Sequence, residues 1–164
     1  MAYRIAQMNT AIGTAHSDST TETSIARKAF AIGELQPGKI YGFECGIIVS
    51  SSNSTDTLVA AVRFGSSSTV TSNTAIATSA AVDVANGDVS LVRGTLHVHT
   101  ATRIVFGVTC PDVDAVMTIA DKSTVVVFTS VADTAYYLDV TLDWSVASAS
   151  NVAAASHFAV WEIS

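Results

Sequence analysis

The chain has 164 residues, enough for one compact domain with a core of its own and no need of metal or disulfide support. Only 13% of the residues are charged and the net charge is −6, which excludes a nucleic-acid binder built on a basic patch. The longest apolar runs, such as "STVVVFTSV", fall far short of the roughly 20 residues a membrane helix needs. The opening "MAYRIAQMNTAIGTAH" carries one Arg and no continuous apolar stretch, so it does not read as a signal peptide.

Ala, Val, Ser and Thr dominate while Lys and Glu are scarce. β-Branched side chains fit a pleated strand and lose rotamer freedom in a helix, so the composition favours sheet. Residues 1–23 show no sustained period and are expected to form an extended N-terminal arm, ordered where something tethers it. Alternation begins at Ser24 with "SIARKAFAIG". Pro37-Gly38 predicts a turn, because proline presets the first position and glycine accepts the positive φ of the next. "KIYGFECGIIVS" reads as a strand with Tyr41, Phe43, Cys45 and Ile47 on one face. The polar knot "SSSNSTDT" follows as a loop whose side chains can bond the local backbone. "TLVAAVRFG" then places Leu58, Ala60, Val62 and Phe64 together.

"TVTSNTAIATSAAVDV" reads as short strand or irregular edge, and Asn86-Gly87 predicts a hairpin through a type I′ turn. "VSLVRGTLHVHTA", "RIVFGVTC", "AVMTIA", "STVVVFTSV" and "AYYLDVTLDWSVAS" continue as strands. The last, "SHFAVWEIS", puts Phe158, Val160 and Glu162 on one face and His157, Ala159, Trp161 and Ile163 on the other. Strand-like runs at this spacing, without helical period, predict an all-β protein, a sandwich or a barrel, in a single domain over residues 24–164.

The search for chemistry returns little. His97 and His99 share a strand face at a spacing a metal can use, but no third ligand stands nearby in sequence, and solvent-facing or interface histidines are the better reading. Asp112 with Asp114, and Asp139 with Asp143, lack the glycine-hinged oxygen cluster of a calcium loop and read as turn or edge-strand carboxylates. Cys45 and Cys110 read as buried free thiols rather than a disulfide. No nucleophile elbow, P-loop or dinucleotide fingerprint occurs. Asn53-Ser54-Thr55 matches the glycosylation pattern by accident, since no secretion signal accompanies it. Tyr41, Tyr136, Tyr137, Trp144 and Trp161 are spread over several strands and read as core and interface residues rather than a sugar-stacking platform. The expectation is a non-enzymatic protein without cofactor or metal. A chain this apolar is expected to cover part of its surface in an assembly.

Three blocks carry a resemblance. "ELQPGKIYGFECGIIVSSSNSTDTLVAAVRFG", "SAAVDVANGDVSLVRGTLHVHT" and "YYLDVTLDWSVASASNVAAASHFAVWEI" together resemble small structural proteins of tailed bacteriophages, over roughly residues 24–163. In these proteins a turn, a polar loop and a strand ending in Arg-x-Gly recur in this order. The resemblance is to capsid decoration (cement) proteins, head fibres and tail-associated domains. It implies a jelly-roll-like antiparallel β-sandwich that assembles as a homotrimer on the outer surface of the virion, after synthesis in the cytoplasm of the host bacterium. The partner it implies is the major capsid protein, with Tyr3, Arg4, Ile5 and Met8 of the arm as the expected shell contacts. The alternative within the same resemblance is a receptor- or glycan-binding module of a head fibre or tail.

Overall fold

The computed structural model describes residues 3–9, 13–53, 55–109, 122–128 and 130–163. Twelve strands account for most of these residues: β1 (Tyr3–Asn9), β2 (His16–Ser17), β3 (Thr23–Phe30), β4 (Ile40–Ser51), β5 (Thr57–Gly65), β6 (Thr74–Thr78), β7 (Val82–Asp83), β8 (Val89–Thr100), β9 (Arg103–Thr109), β10 (Lys122–Val127), β11 (Tyr136–Trp144) and β12 (Val152–Ile163). They form two antiparallel sheets packed face to face, an all-β sandwich. The larger sheet has the order β1-β12-β4-β8-β9-β10, with β2 continuing the β1 edge against β12. The smaller has the order β3-β11-β5-β6, with β7 continuing the β6 edge.

The connectivity follows from these orders. Setting aside the short β2 and β7 and the added pair β9 and β10, eight of the described strands remain. Numbered along the chain, they lie as 1-8-3-6 in one sheet and 2-7-4-5 in the other. That is the double Greek key of a jelly roll.

Alternation decides which side chains enter the core. Tyr41, Phe43, Cys45 and Ile47 of β4 are buried, as are Leu58, Ala60, Val62 and Phe64 of β5, as the two-residue rhythm predicts. An aromatic cluster fills the centre. Phe64 stacks on Tyr136 at 5.3 Å and meets Phe106 at 5.1 Å, Phe128 at 5.4 Å and Phe30 at 6.3 Å. Cys45 is a buried free thiol, and burial pushes it up to about 12, so it is not a nucleophile at neutral pH. Cys110, Asp112 and Asp114 lie outside the described residues.

Two local expectations meet different outcomes. At Pro37-Gly38 the glycine takes φ +89° and the Lys39 N–H donates to the Gln36 carbonyl, the expected turn. Asn86-Gly87 is also a turn, but it closes no hairpin. Only Gly87 has positive φ, and the strands it joins, β7 and β8, belong to different sheets. Asn86 instead uses its side-chain oxygen to accept from the Ser52 N–H at 2.7 Å, tying the turn to the polar knot.

Where it is described, the N-terminal segment is extended and tethered. β1 pairs with the last strand from Tyr3↔Ile163 to Asn9↔Phe158, and β2 pairs further along the same strand. The Gln7 side-chain amide donates to the Arg27 carbonyl, the Gly13 N–H to the Ala155 carbonyl and the Trp144 indole to the His16 carbonyl.

His16 is 3% exposed and its Nε2 has no hydrogen-bond partner, nor has the Oδ1 of Asp143. Burial lowers the His16 pKa below its usual 6.5, partly offset by the charge of Asp143, while burial and the charge of Glu22 raise that of Asp143. For His16 the unfolded chain takes up the proton first, so its contribution to stability is complete above pH 6.5 and is lost as pH falls through the folded value. Asp143 acts in the opposite sense, losing stability as pH rises from its unfolded value of 3.8. We expect folding free energy to fall by up to about 1.4 kcal/mol per pH unit just below pH 6.5. Denaturant titrations at about pH 7.5 and 5.5 check this, and His16→Gln should flatten the difference; an unchanged slope in that variant would exclude His16 as its source.

Candidate assembly face

The outward faces of the two sheets differ in kind. On the smaller sheet the central strand β11 turns Tyr137, Asp139, Thr141 and Asp143 outward, and most of this row is covered by side chains of the same sheet. Arg27 donates to both oxygens of Asp139, through Nε at 2.7 Å and Nη2 at 3.2 Å, with Ser24 adding a hydroxyl at 2.7 Å. Its guanidinium also lies 4.8 Å from the Tyr137 ring centroid. Arg63 grips Glu22 through two 2.6 Å bonds, and Thr141 donates to the same carboxylate. Burial alone would raise the Glu22 pKa, but these hydrogen bonds and the Arg63 charge outweigh it and hold the carboxyl below its usual value. Asp139 is thus no edge-strand carboxylate, as its sequence setting suggests; it lies between β3 and β5, fully buried under Arg27.

The larger sheet presents a different face. Directly paired residues of antiparallel strands share a side, so its outer surface is read as rows across the strands. One row runs Ile5–Trp161–Gly42–Thr95–Gly107, with Ser123 next to Gly107 in backbone register. The next towards the open end of β12 runs Ile163–Ile40–His97–Val105–Val125, with Tyr3 next to Ile163 in backbone register, and on the other side lies Met8–Ala159–Glu44–Arg93–Thr109. A register shift between Ile5 and Gln7 lets Ile5 and Met8 point the same way despite their odd spacing. With Trp161, Ala159 and Ile163 they line a groove of about 490 Å³.

This face is apolar and weakly charged. Ile5, Met8, Val125 and Val127 are 61%, 59%, 53% and 68% exposed, far from the polar outer alternation of a solvated sheet. Among the described residues of these rows, Glu44 is the one carboxylate, in a chain with 14 acidic residues. Trp161 lies flat on the backbone of Gly42, where a Cβ would stand 2.4 Å from the ring.

At the centre stands a polar cluster. Glu44 accepts from Arg93 Nε at 2.6 Å and bonds His157 Nε2 at 2.9 Å, while His157 Nδ1 lies 3.3 Å from the Ser156 hydroxyl. Ser156 and His157 reach the same side because the register slips between Ala155 and His157, and both stand over Gly46, where a Cβ would clash with either. Partial burial pushes the Glu44 carboxyl up, but the bonds and charges of His157 and Arg93 together hold it below its usual value. Hydroxyl, imidazole and carboxylate stand in the order hydrolases use. Here, however, the carboxylate is shared with Arg93 and the row lies on an open sheet face. No local motif announces this cluster, because Glu44 and His157 are 113 residues apart.

The other candidates separate. His97 and His99 meet edge to face at 5.9 Å, and among the described residues no group of three metal-ligating side chains forms. Tyr41, Tyr136 and Trp144 are core residues, Tyr137 lies on the smaller sheet and Trp161 on the larger, so they form no common platform. The polar knot closes one end of the sandwich. Asn151, fully buried, donates to Asp56 at 2.8 Å and accepts from the Asn53 N–H at 2.9 Å, and the Asn53 side chain bonds Asp56 and Ser148. Of the expected arm contacts, Arg4, Ile5 and Met8 are exposed on β1, and Tyr3 begins that strand. Among the described residues no helix is long and apolar enough to cross a membrane.

No protein-family model matches the chain, and no curated protein does. Among solved structures it is similar to a xylan β-1,4-xylosidase from Bacillus halodurans C-125, at 9% identity and a TM-score of 0.33. That match covers 74% of this chain and 27% of the xylosidase, and a likeness this weak carries no argument about activity.

Proposed function

We propose that this protein is a non-enzymatic structural component of a tailed-bacteriophage particle, a decoration protein that binds the outer surface of the major capsid protein shell and stabilises the head. The observation that carries the reading is the outer face of the larger sheet, apolar and almost free of carboxylates on an acidic chain. Such a face is a liability in a free monomer and an asset in an assembly. The rigid sandwich and its smaller sheet, whose outward row is mostly covered by its own side chains, suit a block whose task is to add contact area, many modest contacts being multiplied by symmetry. The phage-protein resemblance of residues 24–163 supplies the setting, and the N-terminal strand with Tyr3, Arg4, Ile5 and Met8 is the proposed shell contact. Heads prepared without the protein should disrupt at lower temperature, or at higher salt concentration in low-salt dialysis, than heads to which it is restored. Equal disruption of bare and decorated heads would end the cement reading.

A further inference from the structure

We infer that the outer face of the larger sheet is a self-association surface, on which a second copy of this chain stacks about a two-fold axis running along the strands between β4 and β8. This rests on reading the face as an assembly surface, and names its occupant: a pair, in place of the homotrimer that the phage-protein resemblance implies. The axis passes through the middle of the six-strand order, so it exchanges β4 with the partner's β8, β12 with the partner's β9 and β1 with the partner's β10.

The rows are self-complementary under that exchange. Glu44 and Arg93 share a row, so each Glu44 faces the partner's Arg93, and the contact occurs twice. Trp161 and Gly107 share the next row, so the β12 backbone at Trp161 stands opposite the partner's Gly107, while the Trp161 ring, lying over Gly42, meets the partner's Thr95 beside that glycine. Around Gly107, among the described residues, an added Cβ would meet only the Thr95 hydroxyl within 4 Å, at 3.3 Å. Ile163 comes to the partner's Val105, and β1 covers the partner's β10, hiding Ile5 and Val125 together. Acid meets base and apolar meets apolar, as an isologous interface requires. Stacked sheets lie within about 30° of alignment and about 10 Å apart, which keeps these rows in reach of one another.

The area suffices. The three rows hold 17 positions, about 4.8 Å apart across the strands and about 6.8 Å apart along them, which span roughly 550 Å² per copy. Doubled, that is about 1,100 Å², above the roughly 1,000 Å² that a specific interface should clear. On this stack Ile5 and Met8 pass from the shell contact proposed above to the second copy, and the shell is left the free edge of β1 together with Arg4, which pairs in register with Glu162 on the opposite side of the sheet.

The test uses the full chain. Light scattering should give the mass of a pair; a monomer at 100 μM-scale concentration, or a trimer, would overturn the inference. Glu44→Arg alone and Arg93→Glu alone should each weaken association at least tenfold, since like charges then face each other. An equimolar mixture of the two variants should recover it. The arginine introduced in one copy then meets an arginine-to-glutamate change in the other, so opposite charges face each other across the interface while neither copy has regained its internal pair. A mixture that stays monomeric overturns the arrangement. If either variant misfolds by circular dichroism, Ile163→Cys with Val105→Cys in a Cys110→Ser background decides. Within one copy β12 and β9 are three strands apart, about 14 Å, beyond disulfide reach, so only a covalent pair supports the stack and failure to cross-link refutes it. A monomer that still stabilises heads would sink this inference and spare the decoration role; a pair that leaves heads unchanged would do the reverse.

Discussion

Replacing Phe64 with alanine should cost about 3–5 kcal/mol of folding free energy, the range for removing a large aromatic side chain from a packed core. Phe64 is fully buried and joins both sheets: it stacks on Tyr136 of its own sheet and meets Phe106 of the other, with Phe30 and Phe128 closing the cluster. Four aromatic neighbours cannot all move into one vacancy without leaving their own rotamers, so collapse around the cavity is limited. Because single domains are stable by only about 5–15 kcal/mol, a loss of this size should be plain in a urea titration. Phe64→Leu, which keeps most of the volume, should recover more than half of it. A loss below about 1.5 kcal/mol for the alanine variant would mean that the cluster is not the structural centre described above.

Asp139→Ala is expected to cost about 3 kcal/mol, the low end for breaking a buried ion pair. The carboxylate is fully buried and accepts three hydrogen bonds, from Arg27 twice and from Ser24. Removing it strands a guanidinium against the sheet. Arg27 is 31% exposed and also bonds the Ser68 carbonyl, so water and that carbonyl recover part of the loss, which sets the value at the lower end. A double-mutant cycle with Arg27→Ala isolates the pair: the double variant should be less destabilised than the sum of the two single ones. Additive effects would show that Asp139 acts through something other than Arg27.

Both predictions concern residues whose burial is only half legible from sequence. Simple alternation with Leu58, Ala60 and Val62 assigns Phe64 to the core face of its strand, and there it lies. The same alternation places Asp139 outward, correctly, but outward does not mean exposed. Whether an outward carboxylate meets water depends on which side chains the neighbouring strands bring over it, and Arg27 is 112 residues away. The hairpin expected at Asn86-Gly87 fails for a related reason. The dipeptide marks a turn, yet a hairpin also requires its two flanking strands to pair, and here they leave for different sheets.

By itself the sequence determined the local matters: that strands form, where most of them begin, which residues of β4, β5 and β12 share a face, and that the polar knot is a loop. These follow from period and turn chemistry within about ten residues. Only the tertiary structure decided which strands became neighbours. It set the N-terminal segment along the last strand and Glu44 beside His157 and Arg93. It also laid Trp161 on Gly42, and gathered the apolar outward positions of six strands into one face. Each of these is a pairing between distant segments, chosen by the burial of the whole core rather than by local preference. The candidate assembly surface exists only once that choice has been made.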